Sequence, residues 1–209
     1  MTEFEEFCAK VKKVLLLPLP GEAAQYEFAP EFRKKLPNND AYFEQMQAKN
    51  AAVLVLMYPI NGVPHLLFTQ RTADLSTHSN QISFVGGSHD AQDASSVHTA
   101  LREAHEEVGI APEEVQVLGA LSKTYIPPSN FLVYPIVGAL PQKPKLVPQP
   151  TEVAEVLEIP LSVFLSQKYI EQITVPQGWQ VPAFVFENRR IWGATAIILG
   201  ELRAVMAQI

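Results

Sequence analysis

The chain has 209 residues, 47% of them hydrophobic and 18% charged, which suits one globular domain, with or without an appendage, and excludes a disordered chain. Lysine and arginine number 16 against 22 acids, a net charge of −6, so the basic footprint of a nucleic-acid binder is absent; a phosphorylated small molecule stays open, because a divalent metal can supply positive charge locally. The single cysteine, Cys8, excludes an internal disulfide framework and a multi-cysteine zinc site and suits a reducing, cytoplasmic setting.

The N-terminus carries acids where a secretory signal carries bases, and its apolar run, Val14 to Leu17, is too short for one. No stretch reaches the length of a membrane span, so a soluble protein without a membrane partner is expected. Phe4, Phe7, Val11 and Leu15 stand at helical spacing, and Pro18 and Pro20 stop that helix. Pro30-Glu31 opens a short helix through Lys35, and Pro37 to Asp40 reads as a turn. Residues 1–50 are thus expected to form a helical extension that packs on the rest or builds a homodimer. The main domain is expected over 51–209.

The apolar, β-branched run 51–58, the turn Asn61-Gly62 and the run 65–71 predict a hairpin. Residues 72–95 read mostly as loop, with a short strand around Ile82 to Phe84. A helix follows over 96–108, then strands or strand–helix transitions at Val115–Ala120, Phe131–Ala139 and Val153–Ile159. The proline-rich stretch 141–150 is an extended loop, and Leu161–Leu165 starts a short helix. A second hairpin turns at Glu187-Asn188, and residues 194–208 form a final amphipathic helix with Gly200 as a weak point. Strands and helices mix without strict alternation, which predicts an α+β chain or an α/β/α sandwich.

The informative stretch is 86–110. On the 96–108 helix, Val97, Ala100, Leu101, Ala104 and Val108 form a core-facing stripe. Glu103, Glu106 and Glu107 fall within roughly a 100° arc beside it. Like charges on one arc, toward the negative end of the helix dipole, destabilise the helix. Such a set is either a solvated acidic face or a group of hard oxygen ligands of the kind Mg²⁺ or Mn²⁺ takes. Gly86-Gly87, just upstream, lets the backbone approach a ligand closely.

Arg102-Glu103-Ala104-His105-Glu106-Glu107-Val108-Gly109-Ile110 resembles the second half of the Nudix box, Arg-Glu-U-x-Glu-Glu-x-Gly-U with U aliphatic or small. The first half departs from the general Gly-x5-Glu-x7-Arg: counting from Gly87, the acid position is Asp93, with one extra residue before Arg102. That longer loop is similar to the coenzyme A pyrophosphatase branch of the family. Arg71, Leu75, His78, Gln81, Phe84, Gly86 and Gly87 match that branch upstream, and the run 190–196 matches downstream. The departures are Ser76 for arginine, Asn80 for glycine, Val85 for proline and Ser88 for lysine, so two cations that would help hold coenzyme A are missing.

The resemblance implies a Nudix fold, a mixed sheet between helices, and hydrolysis of a nucleoside diphosphate derivative. Coenzyme A or acyl-CoA is the leading substrate, giving 3′,5′-ADP and 4′-phosphopantetheine. ADP-ribose or another nucleoside diphosphate derivative is the alternative, as is a Nudix-fold binding protein that has lost catalysis. It implies Glu103, Glu106 and Glu107 as ligands of Mg²⁺ or Mn²⁺ with the Gly87 carbonyl, Arg102 as the group that orients the carboxylates, and Glu106 or Glu152 as general base. Arg71, Gln81 and Lys123 are expected to bind substrate, with Tyr125 and Asn130 in the same loop as Lys123. His78, His98 and His105 are disfavoured as zinc ligands in carboxylate-rich surroundings. Ser83 and Ser129 lack the partners of a nucleophilic triad. Trp192 reads as core, and Cys8 as buried and inert.

Overall fold

The computed structural model describes residues 1–72, 81–175 and 178–209. The expectations attached to Leu75, Ser76, His78 and Asn80 lie outside the described residues. In chain order the elements are α1 (Glu3–Val14), α2 (Glu22–Gln25), α3 (Glu31–Lys34), α4 (Asp40–Gln45), β1 (Lys49–Ile60), β2 (Val63–Arg71), β3 (Ile82–Ser83), β4 (Val85–Ser88), α5 (Ser96–Val108), β5 (Gln116–Ala120), β6 (Thr124–Ile126), β7 (Phe131–Ala139), β8 (Val153–Pro160), α6 (Leu161–Leu165), β9 (Ile170–Thr174), β10 (Gln180–Phe186), β11 (Arg189–Ile191) and α7 (Ala194–Met206).

β1 is the axis of the main sheet. It runs parallel to β7 from Lys49 opposite Phe131 to Met57 opposite Ala139. Its other edge is shared: Met57–Ile60 pair antiparallel with β2, and Ala51–Leu54 with β4. The segment 82–88 therefore fills the fork where β1 and β2 diverge, since β3 pairs with the far end of β2. β8 lies antiparallel along β2, and β5 and β6 along β7, which makes the sheet mixed. β9, β10 and β11 form a separate antiparallel sheet.

The continuous apolar run of β1 follows from burial on both faces. Ala52, Leu54, Leu56 and Tyr58 pack with Ala100, Ala104 and Val108 of α5. Ala51, Val55 and Met57 face the opposite layer, with Phe4, Cys8 and Val11 of α1 and Ile197, Ile198, Leu202 and Val205 of α7. The expected α/β/α sandwich is the observed architecture.

Four short elements depart from the sequence reading. Asp40 does not end a turn but begins α4, because the Asn39 side chain accepts the Tyr42 N–H at 3.0 Å as an N-cap. Gly86 and Gly87, read as loop, are inside strand β4, where β1 supplies their pairing. β6 is a strand only through its register with Phe131–Val133. β9 points a single buried side chain, Ile173, inward, too short a signal for periodicity. α7 is not amphipathic either: it is buried on nearly every side, including Gly200 and Glu201, because the N-terminal helices cover its outer face.

Candidate active site

α5 starts at Ser95, whose hydroxyl accepts the His98 N–H at 3.2 Å, and ends at Gly109. Burial of Ala100, Ala104 and Val108 fixes the helix's rotation about its axis. That rotation aims Glu103 and Glu107 at β4 and leaves Glu106 toward solvent. A Cβ on Gly87 would stand 2.6 Å from the Glu103 carboxylate, so glycine at 87 is what lets the carboxylate lie over the strand. Glu107 is 5% exposed and accepts the Gly86 backbone N–H.

Burial pushes the Glu107 carboxyl up to about 8. The charge of Arg71 opposes that rise, and those of Glu103 and Glu152 add to it. Glu103 is also raised, by burial first, with Arg102 working against the shift and Glu106 and Glu152 with it. Three carboxylates thus act on one another across the end of β4, with Arg71 beside them. The Arg71 Nε is buried without a hydrogen-bond partner among the described residues. Gln81 is held next to it, its backbone carbonyl accepting the Arg71 N–H at 3.3 Å.

Arg102 sits at the centre of a charged network. Its Nη1 donates to Glu106 Oε2 at 2.8 Å, and its Nη2 lies 2.9 Å from Glu103 Oε1. Nε and Nη2 also form a fork on the two oxygens of Asp93, both at 3.0 Å, and Nη2 reaches the Ser88 carbonyl at 3.0 Å. The guanidinium holds Asp93 well below the usual carboxylate range. Asp93, the acid counted from Gly87, therefore locks the 88–95 loop to the helix.

Glu152 reaches the cluster from the start of β8, next to Arg71 and Thr72. The loop 141–150 crosses the end of α5, where the Gln149 N–H donates to the Glu107 carbonyl at 2.8 Å and the Val147 N–H to the Val108 carbonyl at 2.9 Å. These bonds occupy carbonyls that the last helical turn leaves unpaired. Long-range backbone pairing of this kind leaves no periodic trace, so the sequence reading saw a loop and no anchor.

Lys123 is not brought to the cluster. It pairs with Asp40 at the start of α4 and lies over the Phe43 ring. Its neighbour Thr124 is opposite Val133, Val133 opposite Ala51, and Ala51 opposite Ser88, so two strands intervene between it and β4. Tyr125 and Asn130 are corrected likewise. Tyr125 is buried against Phe43, its hydroxyl donating to Asn130 Oδ1 at 2.8 Å, while the Asn130 amide donates to the Met46 carbonyl at 3.0 Å. The α4 packing that claims all three was invisible while 37–40 read as a plain turn. His98 is drawn to Asp93 at 3.1 Å, and His105 is exposed.

The donor set fits a hard divalent cation in its chemistry. It is all oxygen, from Glu103 and Glu107 beside an exposed Glu106, and it includes a carboxylate whose burial pushes its pKa up. Among the described residues, no three acidic, histidine or cysteine side chains converge closely enough to close a ligand set, and Glu103 and Glu106 are paired with Arg102. The apolar surroundings and buried thiol of Cys8, pushed up to about 11 by burial, keep that residue out of the chemistry.

The NUDIX domain model matches residues 48–182. The chain is 36% identical over 190 residues to an uncharacterized Nudix hydrolase NudL of Pectobacterium atrosepticum, covering 88% of this chain and 95% of that protein. It is 38% identical over 155 residues to the human mitochondrial coenzyme A diphosphatase NUDT8, covering 71% of this chain and 66% of that one. Among solved structures, the Nudix hydrolase RenU of M. smegmatis superposes with a TM-score of 0.54 at 19% identity, covering 78% of this chain and 88% of its own, a likeness of fold. The glutamate helix, the glycine strand beneath it and these likenesses agree: the chain belongs to the Nudix family and is a Nudix pyrophosphohydrolase.

Proposed function

We propose that this enzyme hydrolyses the diphosphate of coenzyme A or an acyl-CoA, giving 3′,5′-ADP and 4′-phosphopantetheine, with Mg²⁺ or Mn²⁺ as cofactor. The observation that carries the reading is the buried Glu107 carboxyl set among Glu103, Glu152 and the charge of Arg71. A bound divalent cation supplies charge neutralisation on the diphosphate and lowers the pKa of a water. Glu103 and Glu107 would hold it, with the Gly87 carbonyl and with Glu106 once freed from Arg102.

Hydrolysis breaks one phosphorus–oxygen bond of the anhydride as water adds to that phosphorus. Glu152 takes the proton from the attacking water at its carboxylate. Glu106 is the poorer base, because its carboxylate is engaged by Arg102 at 2.8 Å, whereas Glu152 makes no ion pair among the described residues. Arg71 grips a phosphate oxygen through its unfilled Nε–H, and Gln81 lines the same edge. Arg102, itself fixed by Asp93, keeps Glu103 from turning away. Residues 1–50 act as a structural extension to the catalytic unit at 51–209.

The similarity to human coenzyme A diphosphatase supports the substrate. Serine at 76 and 88, where the branch has cations, supports the second reading, ADP-ribose or another nucleoside diphosphate derivative. A panel of diphosphates with Mg²⁺ or Mn²⁺, read by released products, tests both. Cleavage of coenzyme A that is lost in Glu107→Gln is expected. Cleavage of ADP-ribose with coenzyme A untouched overturns the substrate. Negligible turnover of every diphosphate by the wild type, no different from Glu107→Gln, overturns catalysis.

A further inference from the structure

We infer that the proline-rich segment 141–150 is a splint that positions Glu152 against Glu107, acting through the backbone of Gln149. This rests on the reading of Glu152 as the base. The observation is a chain of main-chain hydrogen bonds joining three segments distant in sequence. The Glu107 carbonyl accepts the Gln149 N–H at 2.8 Å, and the Gln149 carbonyl accepts the Glu152 N–H at 3.0 Å. The Glu152 carbonyl then accepts the Thr72 N–H at 3.2 Å, directly after Arg71. The metal-side glutamate, the base and the phosphate-side arginine are thereby tied into one frame.

The splint is stiff where it matters and anchored where it starts. Pro148 fixes its own φ, and Pro150 confines Gln149 to extended backbone. Lys143 pairs with Glu158 of β8 at one end, Leu146 packs on the core below α5, and the Val147 N–H grips the Val108 carbonyl. Pro148, Gln149 and Pro150 are themselves exposed, so their side chains carry no core packing. The Val147 bond already caps the end of the helix; the second bond to it, from Gln149, is made by the same residue whose carbonyl tethers Glu152. A displacement of about 1 Å at a catalytic group can cost on the order of 100-fold in rate, which is the scale a loosened splint would release.

The test is steady-state kinetics on the full chain with saturating Mg²⁺. A Pro148→Gly/Pro150→Gly double variant, which removes neither a hydrogen-bonding group nor a core contact, is expected to lose about 10- to 100-fold in kcat with KM within about twofold of wild type. Gln149→Pro, which deletes the donor to Glu107, is expected to show the same split, and Gln149→Ala to behave as wild type. In a Glu152→Gln background, the double glycine change is expected to have no further effect. Wild-type kcat in a folded double glycine variant overturns the splint, as does an equal loss of kcat in the Glu152→Gln background. Wild-type kcat in Glu152→Gln alone overturns the base, and the splint's purpose with it, and is told apart because the single variant reports it.

Discussion

At the scale of single residues, Glu107 sets stability against function. Its carboxyl is pushed from an ordinary 4.5 to about 8, so the folded metal-free protein binds more protons than the unfolded chain between those values. Stability from this group is therefore present at low pH and is lost as pH rises from about 4.5 through 8, by on the order of 5 kcal/mol in the limit. We expect the melting temperature in chelator to fall across that window, and the slope to flatten in Glu107→Gln. The same variant should melt higher than wild type at pH 8 in chelator, yet fail to gain stability when Mg²⁺ is added, which scanning fluorimetry reads directly. Arg71→Ala should raise KM by at least about tenfold, since a charge-assisted grip on phosphate is lost, and kinetics on the cleaved diphosphate measures it. The glutamates and Arg102 were legible in the sequence from helical spacing and motif. Lys123 was not, because its pairing with Asp40 depends on a helix that a short turn-like stretch concealed.

At the scale of elements, the contact between α2 and α7 separates local from tertiary preference. Gly200 sits mid-helix, where alanine would ordinarily stabilise by about 0.5–1 kcal/mol. Here an added Cβ would stand 2.5 Å from Phe28 Cδ2 and 3.0 Å from the Ala24 carbonyl oxygen. Gly200→Ala is therefore expected to destabilise, by about 1–3 kcal/mol, in chemical denaturation. What reads as a weak point along the chain is the site of closest approach between helices. β4 teaches the same lesson: Val85-Gly-Gly-Ser88 has little strand propensity, and its strand exists because β1 offers Ala51–Leu54 as a partner.

At the scale of the whole molecule, the extension over residues 1–50 is fastened to the core by one buried face. Phe4, Cys8, Val11, Leu15, Phe28 and Ala29 pack in the same cluster as α7 and the sheet. A buried carboxylate fastens them. Glu201 on α7 accepts the Gly21 N–H at 3.0 Å, the Gln25 amide at 2.9 Å and the Ser122 N–H at 3.1 Å, joining the extension to the β5–β6 turn. Every partner is a donor, so Glu201→Gln puts an amide group against N–H groups. We expect a loss of about 1–3 kcal/mol and earlier cleavage near residues 16–21 in limited proteolysis.

The sequence by itself determined the family, the sandwich class, the helix that carries three glutamates and the hairpin at 51–71. Each is written in local periodicity or in a contiguous motif, which one stretch of chain can carry alone. Only the tertiary structure decided that Glu107 is the buried member of its set. It also decided that Glu152 is tethered to Glu107 through Gln149, and that Lys123, Tyr125 and Asn130 serve packing. These depend on which distant segments meet: burial and main-chain pairing between strands and loops are properties of neighbours in space, and spacing along the chain does not encode them.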